Sequence, residues 1–134
     1  EGTGKASSES ALHLEIYRKR NDVRAIIHAH PVTATALTVA GIPFRPDIVT
    51  EGALVLGPVP TVPYAPPGSA ELATACAEAA EGADVFLMER HGAATVGRDL
   101  EQAFYRLETL ETIPSSSLPP AANKKITPPP KPSP

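Results

Sequence analysis

Apolar residues fall into patterned blocks on either side of a proline- and glycine-rich middle. In "SSESALHLEIYRKR", Leu12, Ile16 and Tyr17 recur at helical spacing behind Ser7 and Ser8, either of which can cap a helix. "NDVRAIIHAH" then supplies a turn and an apolar strand. After Pro31, "VTATALTVAG" spaces Ala34, Leu37 and Val39 or Ala40 as a helix would, and Gly41 is a suitable stop. The middle, "IPFRPDIVTEGALVLGPVPTVPYAPPG", is cut by proline and glycine into short extended pieces, with "VPTVPY" the best strand and expected at an edge.

A helix is predicted over residues 69–80, capped by Ser69, with Leu72, Ala73, Cys76 and Ala80 on one face. "ADVFLMER" reads as a buried strand and "RDLEQAFYRLETLE" as the last helix. The order is helix, strand, helix, irregular strands, helix, strand, helix, which suits a sheet with helices on its faces. So few strands would leave open edges, so part of the sheet is expected to be missing.

Residues 114–134, "PSSSLPPAANKKITPPPKPSP", hold too little apolar surface to offset the entropy of ordering, and read as a disordered tail. Residues 1–113 then form one domain. A net charge of −3 without a basic stripe argues against nucleic acid as a partner. The apolar runs are too short to cross a bilayer and no signal layout opens the chain. A single cysteine, Cys76, excludes an internal disulfide framework, and a soluble cytoplasmic protein is expected.

The chemistry lies in the histidines. In an extended strand residues i and i+2 share a face, so His28 and His30 would emerge side by side at the end of "RAIIHAHP". His91 lies just past the strand "ADVFLMER", before Gly92, where the backbone can turn sharply. Each histidine alone could simply hydrogen-bond to backbone. Together they suit a zinc ion with one coordination position open, the arrangement of a Lewis acid. His13, mid-helix and four residues after Glu9, reads as a surface or packing residue. Ser7, Ser8 and Glu9 by themselves read as an ordinary helix start, although exposed N–H groups there also favour an anion.

"GKASSESALHLEIYRKRNDVRAIIHAHPVTATAL", "VPTVPYAPPGSAELA" and "ERHGAATVGRDLEQAFYRLETLE" together resemble the class II aldolase and adducin family, in order and with family-like spacing from about residue 1 to 111. Its fuculose phosphate aldolase branch is the nearest functional template. The resemblance implies a three-layer α/β/α fold around a mixed, mostly antiparallel sheet. It implies zinc held by His28, His30 and His91, with Glu9 as catalytic acid/base and an occasional further ligand. Ser7 and Ser8 would hold the substrate phosphate, and Tyr64 falls where aldolases carry an active-site tyrosine.

The implied reaction is reversible cleavage of a small ketose phosphate through a zinc-stabilised enediolate. Epimerase and dehydratase chemistry occur in the same family, and its adducin branch is a non-enzymatic binding module. Ala6 stands where the family usually has proline. The family's N-terminal strands and Gly-Asn phosphate loop precede this stretch, and a C-terminal tyrosine often completes a neighbour's site in a ring-shaped tetramer. By that comparison the fold is expected to be incomplete and the homotetramer unsupported. The polyproline spacing of "TPPPKPSP" could alternatively engage an SH3-like groove.

Overall fold

A computed structural model describes residues 2–113. The disordered tail expected over residues 114–134 lies outside the described residues. The elements are α1 (Ser10–Lys19), β1 (Ala25–Ala29), α2 (Val32–Ala40), a 3₁₀ turn (Pro46–Ile48), α3 (Thr50–Leu56), β2 (Thr61–Val62), α4 (Ala70–Gly82), β3 (Val85–Met88), β4 (Gly92–Gly97) and α5 (Leu100–Thr112).

The strands form one sheet in the order β1-β4-β3-β2. β4 runs antiparallel to both β1 and β3, while β2 joins β3 in parallel, giving the expected mixed and mostly antiparallel sheet. As anticipated, "VPTVPY" lies at an edge, but only Thr61 and Val62 pair. Because β1, β3 and β2 all run against β4 or alongside β3, their C-terminal ends meet at one end of the sheet. That end carries the histidines.

Alternation divides the apolar residues between two cores. Ile26, Phe86, Met88, Ala94 and Val96 face α1 and α4, where Leu12, Ile16, Leu72, Ala73, Cys76 and Ala80 complete one cluster. Val85, Leu87 and Ala93 face the other way, onto Ala34, Leu37, Leu56 and Leu110 from α2, α3 and α5, and onto Ile113 just past the end of α5. The result is three layers, helices on sheet on helices. Small residues at Ala73, Cys76, Ala77 and Ala80 let α4 lie close to its neighbours, and burial pushes the Cys76 thiol up to about 12. That thiol packs and stays protonated.

Local signals fix several helix ends. The Ser69 hydroxyl accepts the Leu72 N–H at 3.1 Å. At the start of α5, Asp99 accepts from Gln102 at 2.7 Å while the Gln102 side chain accepts from Arg98 N–H at 2.9 Å, a reciprocal cap. Gly41 closes α2 in the left-handed region, φ 64°.

Four expectations are corrected. The first helix begins at Ser10, with Glu9 at its cap position, and neither Ser7 nor Ser8 caps it with a side chain. Tyr17 is not part of the buried stripe: it is 39% exposed, with its hydroxyl turned to the Arg24 carbonyl. The middle is not wholly extended, since Thr50–Leu56 forms α3 between two breaker-rich stretches. A strand, Gly92–Gly97, follows His91, where no strand was expected; its residues are small and all buried, so they show no alternation.

Candidate metal centre

His28 is the penultimate residue of β1 and pairs with Ala94 of β4. It shares the sheet face of Ile26, so its ring points toward the α1 and α4 layer. The residue before a proline is driven to extended backbone, so Pro31 keeps His30 in line with the strand and on the same face as His28. α2 starts directly afterwards, with Pro31 at its cap position.

His91 arrives from the other side of β4, in the tight turn joining β3 to β4. Its N–H donates to the Met88 carbonyl at 3.1 Å. The sharp bend was expected at Gly92, but the left-handed residue is Arg90, φ 59°, a conformation that costs a non-glycine residue about 1–2 kcal/mol. Gly92 serves a different need. A β-carbon there would overlap the Ala29 carbonyl oxygen and lie 2.7 Å from Cδ2 of His30, so only glycine lets β1 and the His30 ring come this close.

The three rings close on one another. Centroids lie 5.0 Å apart for His28 and His30, 4.9 Å for His28 and His91, and 5.2 Å for His30 and His91. One nitrogen from each lies within 4.8 Å of the other two. Nδ1 of His28 faces the Ala93 carbonyl oxygen at 3.0 Å. A carbonyl can only accept, so Nδ1 carries a proton and Nε2 is the nitrogen left to face the other two rings. That Nε2 is buried and makes no hydrogen bond, as are Nδ1 of His91 and Oε2 of Glu9. Buried polar atoms are normally paired. Unpaired ring nitrogens in one cluster are the donor set that suits a divalent ion, with Ala93 orienting one of them from behind.

Burial holds the His91 imidazole below its ordinary value, and the neighbouring His28 pushes the same way while Glu9 opposes it. His13 shows the same pattern, lowered first by burial and then by His28, with Glu9 again opposing. A neutral imidazole is the form that binds metal. His13 is outside this three-histidine group, yet it lies within electrostatic reach of it.

Glu9 also falls outside the three-residue set, though its charge reaches His13, His91 and Cys76. Ser7 and Ser8 are exposed just ahead of it. The Ser7 hydroxyl accepts the Glu9 N–H at 3.3 Å, and Ser8 packs against Gly68. Tyr64 follows β2 at the same end of the sheet, half-buried, its N–H donating to Oε2 of Glu89 at 3.2 Å.

Several supporting groups had no signal in the sequence. The Ala93 carbonyl is backbone. Thr38 reads only as a β-branched residue in a helix, yet it accepts the Arg90 N–H at 2.9 Å. Glu111 lies 77 residues beyond Ala34, and its carboxylate accepts the Thr33 N–H at 2.9 Å and the Ala34 N–H at 3.3 Å, capping α2.

The same fold recurs in known proteins. Residues 1–115 match the Class II Aldolase and Adducin N-terminal domain. The chain belongs to the class II aldolase and adducin family. It is 41% identical over 109 residues to L-fuculose phosphate aldolase of Methanocaldococcus jannaschii, covering 81% of this chain and 58% of that protein. It is 35% identical over 115 residues to 3-oxo-tetronate 4-phosphate decarboxylase of Escherichia coli, covering 80% and 52%. Among solved structures, L-fuculose-1-phosphate aldolase from Thermus thermophilus superposes with a TM-score of 0.74 at 34% identity, over 87% of this chain and 63% of that one. An L-fuculose 1-phosphate aldolase reaches 0.80 at 36% identity, over 87% and 54%. The chain thus spans a little over half the length of the curated relatives it matches. Among the described residues, no helix is long and apolar enough to cross a membrane.

Proposed function

We propose that this chain carries the metal-binding and proton-transfer portion of a zinc-dependent lyase that breaks a carbon–carbon bond beside the carbonyl of a small phosphorylated sugar. The observation that carries the reading is the convergence of His28, His30 and His91, with Nε2 of His28 buried and unpartnered. These three rings would hold zinc, which would supply a Lewis acid for negative charge developing on the substrate carbonyl.

The remaining work falls to the chain. Glu9, whose Oε2 is buried and unpaired, carries the proton to and from the carbon next to that carbonyl, and can also approach the metal. The Ser7 and Ser8 hydroxyls, exposed at the start of α1, hold the phosphate with the help of the helix N-terminus. Tyr64 is the further acid at the rim. The Ala93 carbonyl keeps His28 in the tautomer that binds metal.

The aldolase relatives favour a ketose phosphate cleaved to an aldehyde and a three-carbon ketone phosphate. The decarboxylase relative supports a second reading, loss of carbon dioxide from a 3-oxo acid phosphate. Both reactions leave an electron pair on the carbon next to the carbonyl, so they ask the same of Glu9: a proton delivered there.

Elemental analysis of the purified chain is expected to give about one zinc per protomer. His28→Ala combined with His30→Ala is expected to remove it, and metal retained by that variant rejects the ligand set. Given both substrate types, Glu9→Gln is expected to lose at least about 100-fold in turnover. Activity undiminished in that variant removes Glu9 from the mechanism.

A further inference from the structure

We infer that Thr38 is a positioning residue for the metal centre: its hydroxyl fastens the β3–β4 turn to α2 and so sets where His91 meets His28 and His30. The inference rests on the three-histidine reading above.

The hydroxyl is committed in both directions. It donates to the Thr35 carbonyl one helical turn back, at 2.8 Å, which turns its lone pairs outward to accept the Arg90 N–H at 2.9 Å. The recipient is the one non-glycine residue with positive φ among the described residues, directly before His91. Such a backbone persists only when its surroundings hold it. The turn's other hydrogen bonds run elsewhere: His91 N–H to the Met88 carbonyl is internal to the hairpin, while the Glu89 N–H donates to the Val62 carbonyl and its carboxylate accepts the Tyr64 N–H, both on the β2 side.

α2 can do this because it begins two residues after His30, and Glu111 pins its first turn. One short helix therefore touches both metal-binding segments, β1 through Pro31 and the hairpin through Thr38. Thr38 is buried at 8% exposure, so the hydroxyl's two hydrogen bonds are made away from bulk solvent.

The test compares wild type, T38V, T38S and, as a control, T109V, which removes another buried helix hydroxyl, one that bonds the Tyr105 carbonyl far from the histidines. Cobalt(II) is titrated into each metal-free chain, reading its visible absorption band and dissociation constant. T38V is expected to bind about tenfold or more weakly and to shift the band, T38S to stay within about threefold of wild type, and T109V to bind as wild type does. In metal-free wild type and T38S, the Arg90 amide is expected to exchange slowly with solvent deuterium. T38V binding as tightly as wild type overturns the role of Thr38 and leaves the metal site standing. Wild type that binds no cobalt overturns the metal site and this inference with it. Should T38V not fold, rapid exchange of the Arg90 amide in wild type would by itself show that the proposed tie is absent.

Discussion

At the N-terminal ends of β1 and β3, Asp84 accepts from Arg20 at 2.9 Å and from Arg106 at 2.7 Å, while the same arginines donate to the Ala80 and Val96 carbonyls, each at 2.6 Å. At the opposite ends of the same strands, His28, His91 and Glu9 each bury a polar atom with no partner. Both clusters are polar, partly buried and tied to the sheet. The first closes on itself: every charge meets an opposite charge or a carbonyl, so it contributes to the fold and has nothing left to offer a ligand. The second leaves its lone pairs pointed at one another, an arrangement that favours unfolding unless something else occupies the space between them. Position in the fold does not separate the two. The balance of donors and acceptors does.

The sharpest break between them should come from removing His28 and His30 together. Metal affinity is expected to fall by at least about 1,000-fold, two ligands of three being lost, while the unfolding free energy of the metal-free chain changes by only about 1 kcal/mol, because the one hydrogen bond lost from the His28 ring is that of Nδ1 to the Ala93 carbonyl and Nε2 makes none. Calorimetric titration and urea denaturation on the same preparations read the two quantities. A large loss of metal-free stability would mean that the histidines also serve the core.

Asp84→Ala should do the reverse. It leaves Arg20 and Arg106, whose side chains are only 18% and 15% exposed, without their shared carboxylate. A loss of about 2 kcal/mol is expected, less than for a fully buried pair because a third of the Asp84 side chain meets solvent. Cobalt affinity should stay within about twofold. A metal defect in this variant would show that the two ends are coupled through the sheet.

The smallest effect separates the ends by pH. His13 and His91 are held below the ordinary imidazole value of 6.5, so the unfolded chain takes up protons first. Stability of the metal-free protein should therefore fall as pH drops through 6.5 toward the lower folded-state values. At the other end, hydrogen bonds from Arg20 lower Asp22 to about 2 from 3.8, so its contribution is complete above 3.8 and lost only between those values. Urea midpoints in a chelator should thus decline in two separate steps. His13→Gln should shrink the upper step and spare the lower, and a flat profile between pH 7 and 5 would contradict the burial of these rings.

Much of this was legible one element at a time. Helix α4 with its Ser69 cap, the buried β3 and the edge position of β2 follow from caps, periodicity and proline placement, which act within a few residues. The elements that were missed carry weak local signals. α3 is seven residues long, too short for its period to stand out, and Gly52 within it sits against the Pro46 carbonyl, where a side chain could not fit. β4 is built of small residues buried on both faces, so alternation never appears, although it is the strand that joins β1 to β3. Sequence places the start of α1 one or two residues early because Ser7 and Ser8 are good caps in isolation. In the fold, the Ser7 hydroxyl serves the Glu9 N–H instead.

For the site, the sequence by itself determined which atoms are available: an HxH pair kept extended by the following proline, a third histidine at a strand end, a carboxylate at a helix start, and a family pattern in which these occur together. Only the tertiary structure decided that the three rings lie about 5 Å apart, that Ala93 fixes the His28 tautomer, and that Thr38 and Glu111 tie α2 to segments 52 and 78 residues away in the chain. The reason is physical. Backbone preferences act over a turn or a strand and leave a record in neighbouring residues, whereas a contact between distant segments depends on strand register and layer packing, and a carbonyl or hydroxyl looks the same in the sequence whether or not it is aimed at a ring.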